Sequence, residues 1–196
     1  DFPEIIVDSI PIADFISDKT NLDSALRILK TRVEKLENLN PSCFSLACNT
    51  AHLLFGDLQM VTSVPFISII EEVASEINRE GLKTVGLLGT PVTIKSRLFE
   101  EALNKRKIRL IVPTVEQQKM LEGIIRGVIA QKVGQQDKLN LLAMADSLKL
   151  RGAKGIILGC TELPLVFPKK DFSVPVFDSL EVLARALLKK SFKEKL

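Results

Sequence analysis

The chain has 196 residues, 46% hydrophobic and 26% charged, enough to build one large domain or two small ones. Its net charge of +3 comes from Lys and Arg scattered over helical patterns with no Tyr or Trp between them, which excludes nucleic acid as a partner. Three cysteines make neither a disulfide framework nor a zinc ribbon, no apolar run approaches the ~20 residues that span a bilayer, and no signal segment opens the chain; membrane partners are excluded too, and a reducing cytoplasm is the expected setting.

In chain order, short runs rich in Ile and Val alternate with longer stretches whose apolar residues recur every three or four positions, a βα alternation. Strands are predicted over residues 4–10, 43–47, 64–68, 84–88, 108–112, 155–158 and 174–177, several of them apolar throughout, as parallel strands covered on both faces are. The first follows Asp1 with no helix before it, so further chain upstream is expected. Helices are predicted over residues 21–39, 69–79, 93–105, 115–131, 135–150 and 179–192. Asn40-Pro41 stops the first, because proline disfavours helical backbone in the residue before it, and Gly81 and Gly152 suit left-handed C-terminal caps. The basic tail, residues 189–195, suits the negative end of the last helix dipole.

The candidate chemistry lies in two echoing turns. Leu46-Ala47-Cys48-Asn49-Thr50-Ala51-His52 and Leu158-Gly159-Cys160-Thr161-Glu162-Leu163-Pro164 each put a thiol at the carboxyl end of an apolar strand, ahead of a helical turn. Such strand ends are where open α/β sheets bind ligands, and a helix N-terminus favours an anion or a thiolate. Asn49, Thr50 and Thr161 add short neutral donors able to hold a carboxylate. Cys43 faces the other side of the strand from Cys48 and reads as core filler. His52 follows Cys48 at helical spacing, but tetrahedral zinc wants three or four ligands and only Cys160 remains. His52 is therefore expected to pack or hydrogen-bond on the helix after the first turn.

The motifs ACNTAH and GCTEL resemble those of the aspartate/glutamate racemase family, closest to its aspartate racemase branch. Leu87-Leu88-Gly89-Thr90-Pro91-Val92-Thr93-Ile94 and Val174-Pro175-Val176-Phe177-Asp178 extend the resemblance over nearly the whole chain. It implies an α/β fold of two pseudo-symmetric domains, with mostly parallel sheets flanked by helices and an active site in the cleft between them. Residues 1–69 plus 177–196 would form the first domain and residues 70–176 the second. The implied activity is that of an amino-acid racemase for aspartate or glutamate, independent of pyridoxal phosphate and of any other cofactor or metal, in a homodimer. Cys48 and Cys160 are the implied catalytic pair, a thiolate removing the α-hydrogen on one face while a thiol delivers a proton to the other. Asn49, Thr50, Thr90, Thr93, Thr161 and Glu162 are the implied substrate-binding residues.

Each of these residues has a second reading. Cys48 and Cys160 also suit the role of small hydrophobes at strand ends. Glu162 either tunes Cys160 or touches the substrate ammonium, as the resemblance implies, or caps a helix start, and Thr90 and Thr93 suit caps as well as substrate. The family's Gly-rich opening βα unit has no counterpart in the sequence. The positions matching the Arg and Lys that read a side-chain carboxylate in the aspartate branch are Ala13 and Ile129, with Lys19, Arg126 and Lys132 nearby. The rival to an enzyme is thus a catalytically inactive amino-acid-binding or regulatory homologue.

Overall fold

The structure is a computed structural model and describes residues 3–12 and 21–193. It is α/β, with two parallel sheets flanked by helices. The chain runs α1 (Leu22–Glu37), β1 (Phe44–Ser45), a 3-10 turn (Thr50–Leu54), α2 (Phe55–Gln59), β2 (Phe66–Ile67) and α3 (Ile69–Arg79). It continues through β3 (Thr84–Gly89), α4 (Pro91–Lys95), α5 (Leu98–Asn104), β4 (Arg109–Ile111), α6 (Val115–Ile129) and α7 (Gln135–Leu150). Last come β5 (Ile156–Gly159), two 3-10 turns (Leu163–Leu165 and Lys169–Asp171), β6 (Val176–Asp178) and α8 (Ser179–Lys193).

The larger sheet has the order β4-β3-β5-β6. Its central strands are buried on both faces, and their alternation divides the core in two. Val85, Leu87 and Ile157 turn toward α3, α5 and α8, where Val73, Ile77, Phe99 and Leu183 meet them; Leu88, Ile156 and Leu158 turn toward α6 and α7, onto Leu121, Ile125, Leu141 and Leu148. The smaller sheet pairs only β1 with β2, in the register Phe44↔Phe66 and Ser45↔Ile67. It shares a third core with α1 and α2, built on Ala25, Leu29, Val33, Leu58 and Phe66. The segment from Phe177 onward joins the larger sheet: β6 pairs with β5, and α8 packs on α3, with Phe177, Val182 and Leu183 in the core those helices share.

Two predicted elements differ. Residues 4–10 form no strand: they run without a ladder partner, Val7 is 87% exposed, and the segment is tied down by Ile10 and Ile12 against the small core and an Asp8–Arg32 pair at 3.8 Å. A strand needs a neighbour to take its N–H and C=O groups, and among the described residues the small sheet ends at β1 and β2, with nothing pairing to this segment. The helix predicted over residues 93–105 starts earlier and is broken. Thr90 caps it, its Oγ1 accepting from the Thr93 N–H at 3.1 Å, and Pro91 takes the first helical position. Arg97, in the left-handed region at φ 62°, then separates α4 from α5.

Two constraints place the chemistry. Gly89 and Gly159 are register partners at the carboxyl ends of β3 and β5. A Cβ on Gly159 would lie 2.6 Å from Leu87 Cδ1 and 3.3 Å from Phe99 Cε2, and one on Gly89 3.2 Å from the Gly159 carbonyl oxygen. Only this pair lets the strand ends close up and set Cys160 beside the Thr90 turn. On the other side, buried His52 ties the Cys48 turn to α3. Its Nε2 accepts from the Ile69 N–H at 3.0 Å, so Nδ1 carries the proton and donates to the Cys48 carbonyl at 2.9 Å. The ring also stacks on Phe55, with centroids 5.4 Å apart.

Burial lowers the His52 pKa from 6.5 to about 4, against the pull of the Cys48 carbonyl. The unfolded chain therefore binds more protons between those values. The stability that neutral His52 contributes is complete above pH 6.5 and is lost as the pH falls toward about 4. The loss over that window amounts to roughly 3 kcal/mol. Urea unfolding of the parent and of His52→Gln at intervals from pH 7.5 to 4 should show that excess slope in the parent alone; parallel curves would refute it.

Candidate active site

Each thiol follows a strand and meets backbone N–H groups. Cys48 lies three residues past β1, where the 3-10 turn Thr50–Leu54 points the N–H groups of Thr50 and Ala51 at its sulfur. Cys160 directly follows β5 and receives the Glu162 N–H. These contacts stabilise a thiolate, but burial outweighs them and raises the pKa of both cysteines. The Glu162 carboxylate raises both further and Cys48 adds to the rise at Cys160, so both sulfurs rest as thiols. The expected helix-end depression is present as contacts and loses to desolvation. Neither thiol precedes a long helix: Leu163–Leu165, after Cys160, is a single 3-10 turn.

Glu162 lies directly on Cys160. The Cys160 Sγ donates to Glu162 Oε2 at 3.0 Å, and the Thr161 hydroxyl donates to the same oxygen at 3.1 Å. Its side chain makes no capping bond to the turn that follows.

Thr50, Thr90 and Thr93, all buried, form a closed ring of hydroxyls. Thr90 donates to Thr93 at 2.9 Å; Thr93 and Thr50 lie 2.9 Å apart, and Thr50 and Thr90 3.1 Å. With one proton per hydroxyl the ring runs one way, from Thr90 to Thr93 to Thr50 and back. No proton is left for a carboxylate until one hydroxyl turns outward. The ring also bridges the Cys48 turn and the turn after β3.

Asn49, 2% exposed, makes the second bridge: its Nδ2 donates to Ser179 Oγ at 2.9 Å, and Ser179 Oγ donates to the Leu158 carbonyl at 2.8 Å. Among the described residues Asn49 Oδ1 has no partner, which costs about 1–3 kcal/mol. Sequence reasoning missed Ser179, since a serine at a helix start reads as a cap. Here Asp178 Oδ1 does that work, accepting from the Leu180 and Glu181 N–H groups at 3.0 and 3.2 Å.

Cys48, Asn49, Thr50, Thr90, Cys160, Thr161 and Glu162 line one cleft of about 50 Å³, together with Gly159. Thr93 reaches it only through the hydroxyl ring. That volume holds roughly two waters, so admitting an amino acid requires the walls to part. A larger open groove of about 440 Å³ runs along α1 past Arg27, Arg32 and Lys35 and contains no thiol. No Lys or Arg lines the cleft among the described residues. Ile129 is 53% exposed at the end of α6, Arg126 pairs with Glu122 at 3.1 Å, and Lys132 is exposed; Ala13 and Lys19 lie outside the described residues. Among the described residues no three His, Cys, Asp or Glu side chains gather where they could hold a metal ion, and no helix is long and apolar enough to cross a membrane.

The family model for Asp/Glu/Hydantoin racemase matches residues 1–187. The chain is 26% identical over 186 residues to the broad specificity amino-acid racemase RacX of Bacillus subtilis (strain 168), covering 95% of this chain and 81% of that one. It is 30% identical over 179 residues to glutamate racemase of Aquifex aeolicus (strain VF5), covering 84% of this chain and 65% of that protein. Among solved structures, an aspartate racemase homologue from Pyrococcus horikoshii OT3 superposes with a TM-score of 0.77 at 34% identity, over 87% of this chain and 76% of that one. Picrophilus torridus aspartate racemase gives 0.76 at 26% identity, over 88% and 72%. With the match running through both cysteine turns and the strands that carry them, the chain belongs to the Asp/Glu/Hydantoin racemase family.

Proposed function

We propose that the chain is an amino-acid racemase independent of pyridoxal phosphate, working by proton transfer between Cys48 and Cys160. The observation that supports this most is that two thiols from separate strand ends line one cleft with neutral donors around them. In the proposed cycle the Cys160 proton passes to Glu162, to which its sulfur already donates. The Cys160 thiolate then takes the α-hydrogen: the C–H bond breaks, an S–H bond forms, and the electron pair stays on the α-carbon. Cys48 gives its proton to the opposite face, its S–H bond breaking as the new C–H bond forms, and is left as thiolate. The next turnover runs in reverse with the roles exchanged. On binding, the α-carboxylate breaks into the Thr50–Thr90–Thr93 ring and takes a hydroxyl proton that turns outward from it, and the Thr161 hydroxyl leaves Glu162 to donate to it as well, where charge grows in the transition state. The Asn49 carbonyl oxygen takes a hydrogen bond from the ammonium group.

Aspartate or glutamate is the proposed substrate class, on the resemblance and the relatives' names. The family resemblance also carries the expectation of a homodimer, and the three free cysteines suit a reducing compartment such as the cytoplasm.

Cys48→Ser and Cys160→Ser should each lower racemisation by about 10²- to 10⁴-fold, since a hydroxyl is too weak an acid to replace a thiol on either face. Circular dichroism should stay native, and Cys43→Ser should keep its activity. A parental rate in either catalytic-cysteine variant would sink the two-thiol cycle.

Glu162→Gln separates its two readings. Replacing the carboxylate by an amide removes the charge that favours the neutral thiol and leaves only a weaker, neutral acceptor, so the Cys160 pKa falls. In a Cys43→Ser, Cys48→Ser background, alkylation of Cys160 at pH 8 should quicken in Glu162→Gln; in the otherwise parental protein the same change should slow racemisation. An unchanged alkylation rate would reduce Glu162 to a structural role.

The substrate is tested by α-proton exchange in deuterated water, followed by NMR over a panel of amino acids. A second carboxylate would enter a cleft with no facing cation among the described residues, at a cost of several kcal/mol. Exchange on L-aspartate is therefore expected to be slow for this family. Fast exchange would show that a cation reaches the cleft, and exchange on no amino acid would favour an inactive binding homologue.

A further inference from the structure

Asn49 lines the cleft and keeps a buried, unsatisfied side-chain atom, and Ser179 is the reason that this atom is an oxygen. Ser179 is fully buried at the start of α8 and has a single hydroxyl proton. It gives that proton to the Leu158 carbonyl at 2.8 Å, an atom that only accepts. The Ser179 oxygen therefore meets the Asn49 amide as an acceptor at 2.9 Å, and only Nδ2 can face it. The flipped amide would set two acceptor oxygens against each other with no proton between them. Capping does not compete for the hydroxyl, because Asp178 Oδ1 takes the first N–H groups of α8. Asn49 Oδ1 is left buried, in a residue that lines the cleft, without a partner among the described residues.

We propose that Ser179 is a positioning residue for the substrate ammonium: it fixes the polarity of the Asn49 amide, so that a neutral carbonyl oxygen meets the cationic nitrogen of an amino acid. This rests on the racemase reading above. A neutral acceptor binds the ammonium without removing its proton, and a protonated nitrogen keeps the neighbouring α-hydrogen more acidic than a free amine would. Ser179 never touches the substrate. It acts from the β5–α8 side of the cleft on a residue of the Cys48 turn, and so couples the two walls.

The test uses the full chain as the parent, Ser179→Ala and Ser179→Thr. The side-chain amide protons of Asn49 are read by NMR, assigned through Asn49→Asp. Binding of L-aspartate and L-alanine is compared with that of succinate and propionate, which lack the nitrogen. Ser179→Ala should collapse the shift of the hydrogen-bonded amide proton. It should also weaken both amino acids by about tenfold, the equivalent of one charge-assisted hydrogen bond, and leave succinate and propionate unchanged. Ser179→Thr, which keeps the hydroxyl, should restore both. An amide signal that Ser179→Ala does not move overturns the role of Ser179 whatever the parent binds. Equal weakening of acids with and without the nitrogen overturns it in favour of a purely structural serine. A parent that binds neither amino acid while the amide signal responds overturns the racemase reading, and the ammonium role with it.

Discussion

Two groups of apolar cores meet here across a polar seam, and the cleft exists because the seam is satisfied almost to its last atom. The core of α1, α2, β1 and β2 is separate from the two cores on the larger sheet. Three buried hydrogen-bonded links join the Cys48 turn to the rest: the threonine ring, Asn49 to Ser179, and His52 to Ile69. Apolar contacts are non-directional and would let the two halves slide by an ångström or more. Buried polar groups allow no such slack, because each misplaced donor or acceptor bears its full desolvation cost. The seam therefore fixes where one thiol stands relative to the other, and all three links sit within four residues of Cys48.

Acidity at the site follows from the same burial. A thiol near unpaired N–H groups is usually expected to titrate low, and both cysteines have such groups. Both nevertheless titrate high, because the walls exclude water and Glu162 is the nearest charge. In the proposed cycle, where each thiol serves in turn as acid and as base, such high resting values require that a base stand close to one of them. Glu162 meets that condition for Cys160, its Oε2 at 3.0 Å from the sulfur. Among the described residues no carboxylate bonds to the Cys48 sulfur, which meets backbone N–H groups instead, so the two thiols differ in environment even though their turns echo each other in sequence.

What the sequence revealed and what it concealed divide along a physical line. Elements carried by a local period were legible: α3 was predicted over the residues it occupies, and β3 and β5 to within a residue or so at each end, because an apolar run or an amphipathic repeat is written in neighbours. The paired cysteine turns were legible for the same reason, each being a strand end followed by small polar residues. Residues 4–10 had the composition of a strand but no partner, and pairing is a property of the sheet. The break at Arg97 carries no glycine to announce a positive φ. Ser179, buried in the seam, gave no signal at all. Its partners lie 130 and 21 positions away, and its local context, a serine opening a helix, already had an ordinary explanation that Asp178 turns out to satisfy.

The remaining imperfection in the seam has a direction. Asn49 Oδ1 is a buried acceptor with no donor among the described residues, while the three threonine hydroxyls beside it have spent every proton on one another. The unsatisfied oxygen favours a ligand that brings a donor; the closed ring resists a ligand that brings only acceptors, since a threonine must first break a bond within it. A ligand with both an ammonium and a carboxylate gains from the first in the step that costs it the second. A simple carboxylic acid meets only the cost. On the proposed function, discrimination between amino acids and other acids of similar size is thus built into the bonding of the cleft, and the same ring that opposes entry would hold the two thiol-bearing walls together until an amino acid displaces it.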